Sequence, residues 1–210
     1  GIHLSNVNIY RTTSSASPAV TLKVDSSTSQ MRDCWFNSVQ LDDYTNDTQP
    51  AILLDQSGDG KLFQMYFNNM YMSGFGSRMI YASAANAGKM FAIRVSDNII
   101  QYNQIVDNHD LYNFTNITNI SFNDNQFYGA VKTGSGESLA NFTGCSNVIA
   151  RGNNVSDSTG WSSFLKFTNC STVSYGDNVL SGITEAITSG TITNFKVDND
   201  AGSYSCSVWK

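Results

Sequence analysis

Three seventeen-residue segments of this chain align without a gap, and no other feature restricts its fold as much. They are 113–129 (NFTNITNISFNDNQFYG), 141–157 (NFTGCSNVIARGNNVSD) and 166–182 (KFTNCSTVSYGDNVLSG). Phe114, Phe142 and Phe167 share a column, and so do Thr115, Thr143 and Thr168. Ile117, Cys145 and Cys170 form an apolar column, as do Ile120, Val148 and Val173. Asn125, Asn153 and Asn178 form an all-Asn column, followed by Phe127, Val155 and Leu180. A shorter signature, apolar-x-x-Asn-x-apolar, extends upstream at Cys34/Asn37/Val39, Tyr66/Asn69/Tyr71 and Ile100/Asn103/Ile105. It spaces the Asn positions by 32, 34, 22, 28 and 25 residues. Residues 4–9 read as a partial first copy and 192–200 as a degraded last one.

Within each copy the apolar period is two rather than 3.6, as in Val173-Ser174-Tyr175, which marks half-buried strands. Gly, Asn, Asp and Ser fill the intervals, and no stretch has the pattern of an amphipathic helix. Short strands and turns repeating every 22 to 34 residues suit a parallel β-helix, in which equivalent side chains stack about 4.8 Å apart. The expected fold is therefore all-β, a right-handed parallel β-helix of about seven to eight coils spanning 1–200, with 201–210 as a tail or cap. Asn suits the bends, since it tolerates left-handed backbone and can hydrogen-bond its own image in the next coil. A structural ladder explains the Asn column better than a ligand site does. The loops fall at 42–50, 55–61, 74–78, 82–89, 129–138 and 156–161, and in solenoids such excursions gather on one face and carry binding surface.

Composition narrows the partners. Charged residues are 14% of the chain against roughly 25% in an average domain, while 23 Asn, 28 Ser and 17 Thr supply the polarity. A net charge of −5 with no basic cluster argues against nucleic acid as a partner. No apolar run approaches the roughly 20 residues of a membrane helix, so membrane insertion is not expected. Such an uncharged polar surface suits carbohydrate or solvent. Cys34, Cys145, Cys170 and Cys206 have no CxxC spacing and read as buried thiols behaving as small hydrophobes. The first residues, Gly-Ile-His-Leu, look like a boundary within a longer parent chain.

The copies NFTGCSNVIARGNNV and KFTNCSTVSYGDNVL resemble coils of the pectate-lyase-like parallel β-helix superfamily. Their Asn/Ser/Thr-rich coils, few charges and scattered aromatics look most like those of bacteriophage tailspikes and receptor-binding appendages. The resemblance implies a homotrimer that binds, and in many members cleaves, bacterial surface polysaccharide, located on a virion tail or outside the cell. A secreted bacterial polysaccharide lyase or glycoside hydrolase is the alternative it allows. The chain has no Gly-His-Gly and no Arg-x-Lys of the polygalacturonase type. It also lacks the Asp-rich strand cluster with a companion Arg of calcium-dependent pectate lyases. No catalytic residue of the family therefore carries over.

The remaining chemistry is sparse, with 15 Asp and only Glu137 and Glu185. Glycoside cleavage uses two carboxylates about 5 to 10 Å apart, a span that one or two rungs supply. Asp42, Asp43, Asp107 and His109 follow the repeat signature and form the candidate catalytic set, with polar turn residues as the plainer reading. Tyr44 and Trp161 lie in loops and are candidates for stacking on sugar rings; Trp35 fits either core or surface. Asp55-Gln56-Ser57-Gly58-Asp59-Gly60 opens like a calcium loop, yet Tyr66 stands where the bidentate Glu belongs. It reads as a Gly/Asp turn, and no metal or cofactor is expected. The seven Asn-x-Ser/Thr triplets follow from composition.

Overall fold

A computed structural model describes residues 1–11, 17–43, 49–74, 78–101, 104–105, 109–132, 137–183, 185–197 and 206–207. Every regular element among them is a strand, and every strand pairing is parallel. The chain is a parallel β-helix with three long sheets. Sheet A stacks His3–Ser5, Gln30–Asn37, Lys61–Asn68, Met90–Ser96, Ile117–Asn123, Ser146–Arg151, Ser171–Gly176 and Phe195–Val197. Sheet B stacks seven shorter strands, from Asn8–Arg11 through Gln40–Asp43, Tyr71–Ser73 and Ile99–Gln101 up to Val179–Leu180. Sheet C runs from Val20–Val24 through Tyr112–Thr115, Ser138–Thr143 and Ser163–Thr168 to Glu185–Ser189 and Cys206–Ser207. Its last strand thus lies inside the expected tail. Gln104–Ile105 and Val131–Lys132 form a small fourth sheet.

The stacked apolar columns build the core. Phe114, Phe142 and Phe167 stack with ring centroids 5.2 and 5.1 Å apart, and Ile120, Val148 and Val173 are buried above one another. Each ring removed from water contributes roughly 1.5–3 kcal/mol. Tyr112 is wholly buried among these rings, with its hydroxyl donating to Met79 Sδ at 2.8 Å. Desolvation pushes its phenol well above the ordinary tyrosine range. Cys34, Cys145 and Cys170 are buried free thiols, as expected from their columns.

The bend from sheet A to sheet B has a strict two-residue grammar. Its first position is left-handed in every coil: Asn6, Ser38, Asn69, Asp97, Asp124, Gly152 and Asp177 have φ between 51° and 66°. Asn, Asp and Gly enter that region most easily. The second position is inward, running Val7, Val39, Met70, Asn98, Asn125, Asn153, Asn178. In its upper part the Asn amides form a continuous ladder. Asn125 Nδ2 donates to Asn153 Oδ1 at 3.0 Å and Asn153 Nδ2 to Asn178 Oδ1 at 2.8 Å.

The lower half of the expected Asn column needs correction. Asn98, not Asn103, is the fourth rung, and Met70 and Val39 lie beneath it where Asn69 and Asn37 were aligned. Asn103 lies outside the described residues. Sheet register makes the error plain, because Cys34 pairs with Met65 and Trp35 with Tyr66. The upstream signature had placed Tyr66 on Cys34, one residue out. In a strand that slip exchanges the inner and outer faces. With the correct register the irregular 34- and 22-residue steps vanish, and the bonded rungs lie 28, 27, 28 and 25 residues apart.

Candidate ligand-binding face

Sheet A carries a second column of left-handed residues in mid-strand: Asp33, Gln64, Ala92, Asn119, Asn147 and Thr172, with φ from 54° to 60°. The parallel pairing skips these positions, so each strand is bulged at the same place. A bulge interrupts the inside-outside alternation and re-aims the residues beside it. In Ile117–Asn123 the inward residues are accordingly Ile117, Ile120 and Phe122 rather than a regular alternation. The repetition stores strain, since bulky residues pay roughly 1–2 kcal/mol in this region. Asn bears it best, and Asn147 Nδ2 donates to Asn119 Oδ1 at 2.9 Å on the outer surface.

Just past the bulge, outward side chains stack from coil to coil. His3, Trp35 and Tyr66 form a column with centroid separations of 6.3 and 4.0 Å, and the upper pair lies within 19° of parallel. Arg94, Ser121 and Ile149 continue this column upward. On the other side of the bulge Phe63 and Phe91 stack at 4.7 Å. Trp35 is 38% exposed and Ile149 43%, so this is an open apolar surface rather than core. Where the rings give way to small side chains there is a groove of about 270 Å³. Tyr66 and Ile149 wall it, Ala92 and Ser121 leave it space, and Asn119, Asn147 and Arg94 supply its polar edge.

Arg94 is aimed rather than loose. Its Nε donates to Ser96 Oγ at 2.8 Å, and that hydroxyl donates on to Asn68 Oδ1 at 2.8 Å. Asp97 lies 3.8 Å from the guanidinium, in a solvated pair that leaves the cation available. A flat ring and an aliphatic floor can take an apolar C–H face, and a rim of amide, hydroxyl and guanidinium groups can hydrogen-bond hydroxyls.

The described residues among those singled out in the sequence are dispersed. Asp42 is the penultimate residue of the strand Gln40–Asp43 and is only 3% exposed. Its Oδ1 accepts from Ser73 Oγ at 2.5 Å and its Oδ2 from Gln40 Nε2 at 2.6 Å. That carboxylate is committed to tying two coils together. Asp43 pairs with Arg11 in the same sheet, while its side chain, Tyr44 and Asp107 lie outside the described residues. His109 precedes sheet C, in the coil two rungs above Asp42. Its Nδ1 accepts from Arg78 Nη2 at 2.7 Å, which places the neutral ring's proton on Nε2. Arg78 also sits 4.8 Å over the Tyr81 ring. Asp42, in sheet B, and His109, in the segment leading into sheet C, are thus two coils apart and each engaged elsewhere.

Trp161 is in its expected inter-strand segment, but the indole turns inward. It is 3% exposed, and Nε1 donates to Ala130 O at 2.9 Å. Burying the large ring while giving its N–H a carbonyl satisfies both halves of the side chain, and leaves no ring face for sugar. Asp55 and Gln56 end the strand Ile52–Gln56, and the turn after them is closed by Gln56, whose Nε2 donates to the carbonyls of Gly58 and Gly60. No cluster of three metal-ligating side chains occurs among the described residues.

Tyr66, Arg94, Asn119, Asn147 and Ile149 escaped the sequence reading. The signal for Tyr66 and Ile149 was their apolar character at outward strand positions, and Tyr66 joins Trp35 in a column only once the one-residue slip is removed. Comparison with protein-family models finds no match, and neither does comparison with curated proteins.

Proposed function

We propose that this protein is a receptor-binding solenoid of the phage tailspike type, recognising bacterial surface polysaccharide on the outer face of sheet A. The observation that carries this reading is the groove between Tyr66 and Ile149, continuous below with the Trp35–Tyr66 stack. A glycan chain meets aromatic rings on the lower rungs, the Arg94 guanidinium on the next and the Asn119 and Asn147 amides above it, so several weak subsites add up along one strand of polymer. The reading is binding rather than cleavage, because Asp42, the one described carboxylate of the expected acid pair, has both oxygens occupied. The wider assignment follows the resemblance: a homotrimer, further domains in a longer parent chain, and a place on a virion tail or outside the cell.

The test is binding to immobilised capsular and O-antigen polysaccharides, read by biolayer interferometry. Wild-type protein binds at least one of them. Tyr66→Ala and Arg94→Ala each weaken that binding about tenfold, the loss of one good contact, with the thermal midpoint nearly unchanged. Binding to none of a broad panel, or binding untouched by both substitutions, contradicts the assignment. Release of reducing ends or unsaturated sugars from a bound polysaccharide would instead favour the depolymerase.

A further inference from the structure

Cys145 and Cys170 occupy one column at the bend from sheet C into sheet A. The residues after them, Ser146 and Ser171, pair directly, and Ser171 N donates to Cys145 O at 3.0 Å. Each thiol holds the same place one coil apart: Cys145 Sγ is 3.4 Å from Phe114 O, and Cys170 Sγ is 3.2 Å from Phe142 O. Ile117 lies below the pair and Ile192 above it, so no third thiol adjoins the two cysteines. Both side chains are buried. One rung of about 4.8 Å falls within the roughly 4.4–6.8 Å between Cα atoms that a disulfide bridges. The bend also leaves the backbone more freedom than mid-sheet pairing would, since Gly144 and Asn169, the preceding residues, are left-handed corners.

We propose that Cys145 and Cys170 are a disulfide-forming pair, a covalent staple between two adjacent upper coils that closes when the protein meets a low-molecular-weight disulfide. The two thiols influence each other, Cys145 keeping its proton beside the Cys170 sulfur. The hydrogen bond between them raises the Cys145 thiol and lowers that of Cys170, making Cys170 the better nucleophile. Cys170 thiolate attacks one sulfur of the small disulfide, forming a mixed disulfide and expelling one small thiolate, which takes up the proton Cys170 gave up. Cys145 sulfur then attacks Cys170 Sγ, forming the Cys145–Cys170 bond and expelling the second thiolate, which receives the Cys145 proton. Two protein thiols are oxidised and one small disulfide is reduced to two thiols. Local opening of these coils admits the reagent.

Cys34 is the internal control. It is equally buried, but its neighbour in the next coil is Met65, which cannot pair with it. The whole chain is incubated with oxidised glutathione a few degrees below its melting midpoint, then denatured, alkylated, digested and analysed by mass spectrometry. The expected result is a Cys145–Cys170 cross-linked peptide, lighter by two hydrogen atoms than the reduced pair, with Cys34 alkylated. The oxidised protein melts at a higher temperature. Dithiothreitol reverses that rise, and Cys145→Ala and Cys170→Ala each abolish it. Alkylation of both cysteines after exposure, a persistent glutathione adduct at Cys170, or a lowered midpoint in the cross-linked protein overturns the proposal.

Discussion

Asn125 shows how one residue type can hold a bend together. Its Oδ1 accepts from Asn98 Nδ2 at 2.9 Å and also faces the Asn98 backbone N–H, while its Nδ2 donates to Val95 O and Asn153 Oδ1. Asn125→Ala strands several buried polar groups at once and should cost about 2–4 kcal/mol, since each orphaned group costs roughly 1–3 kcal/mol. Asn154→Ala, at the exposed neighbouring position, should change stability by less than about 0.5 kcal/mol. Urea midpoints of the two variants decide this, and equal values would remove the ladder from the argument. Thr172 makes the opposite case. It is β-branched, exposed and left-handed at φ 55°, directly above Asn147 in the bulge column. Thr172→Asn relieves that strain and extends the outer amide pair, and should raise stability by about 0.5–1 kcal/mol. A lower urea midpoint in this variant would show that the bulge selects for something other than left-handed tolerance.

At the scale of strands, the copies from 113 onward were legible because three aligned segments fixed their register independently. The inward Phe and Ile/Val columns and the upper Asn ladder followed directly. Upstream, the signature had only an apolar residue and an Asn to hold it, in a chain rich in both. It locked onto Asn69 because Met70 occupies the ladder position without being Asn, and onto Asn103 although Val95, Asn98 and Ile100 fit the same signature. That slip hid the outer face, and the mid-strand bulge hid it further by breaking the period of two. Trp161 could not be oriented from sequence, because a ring beside Gly160 can turn either way until Ala130 O offers its N–H a partner. The sheet C stack has its own test. Tyr112 lies between Ile80 and Ala140 in register and touches Phe122 edge-on at 5.2 Å. Its raised pKa means that the folded state keeps a proton which the unfolded chain releases above pH of about 10. That stability is present below this value and is lost as pH rises through it. Tyr112→Phe should flatten the alkaline limb of a stability–pH profile; an unchanged slope would mean that the phenol reaches solvent.

The whole molecule is a stack whose described sheets end in strands paired on one side. His3–Ser5, Asn8–Arg11 and Val20–Val24 form the lower edges, and Phe195–Val197, Val179–Leu180 and Cys206–Ser207 the upper ones. The homotrimer proposed from the resemblance predicts that the 23.0 kDa chain sediments as a multimer, and a stable monomer would contradict it. The recognition surface is tested most directly by hydroxyl-radical footprinting with and without a bound surface polysaccharide. Trp35, Phe63, Tyr66 and Ile149 should become protected together, while Tyr10 and Val179, exposed on sheet B, react as before. Protection confined to Tyr44, His109 and their neighbouring loops, with the sheet A residues unchanged, would place the glycan elsewhere and contradict the assignment of this face.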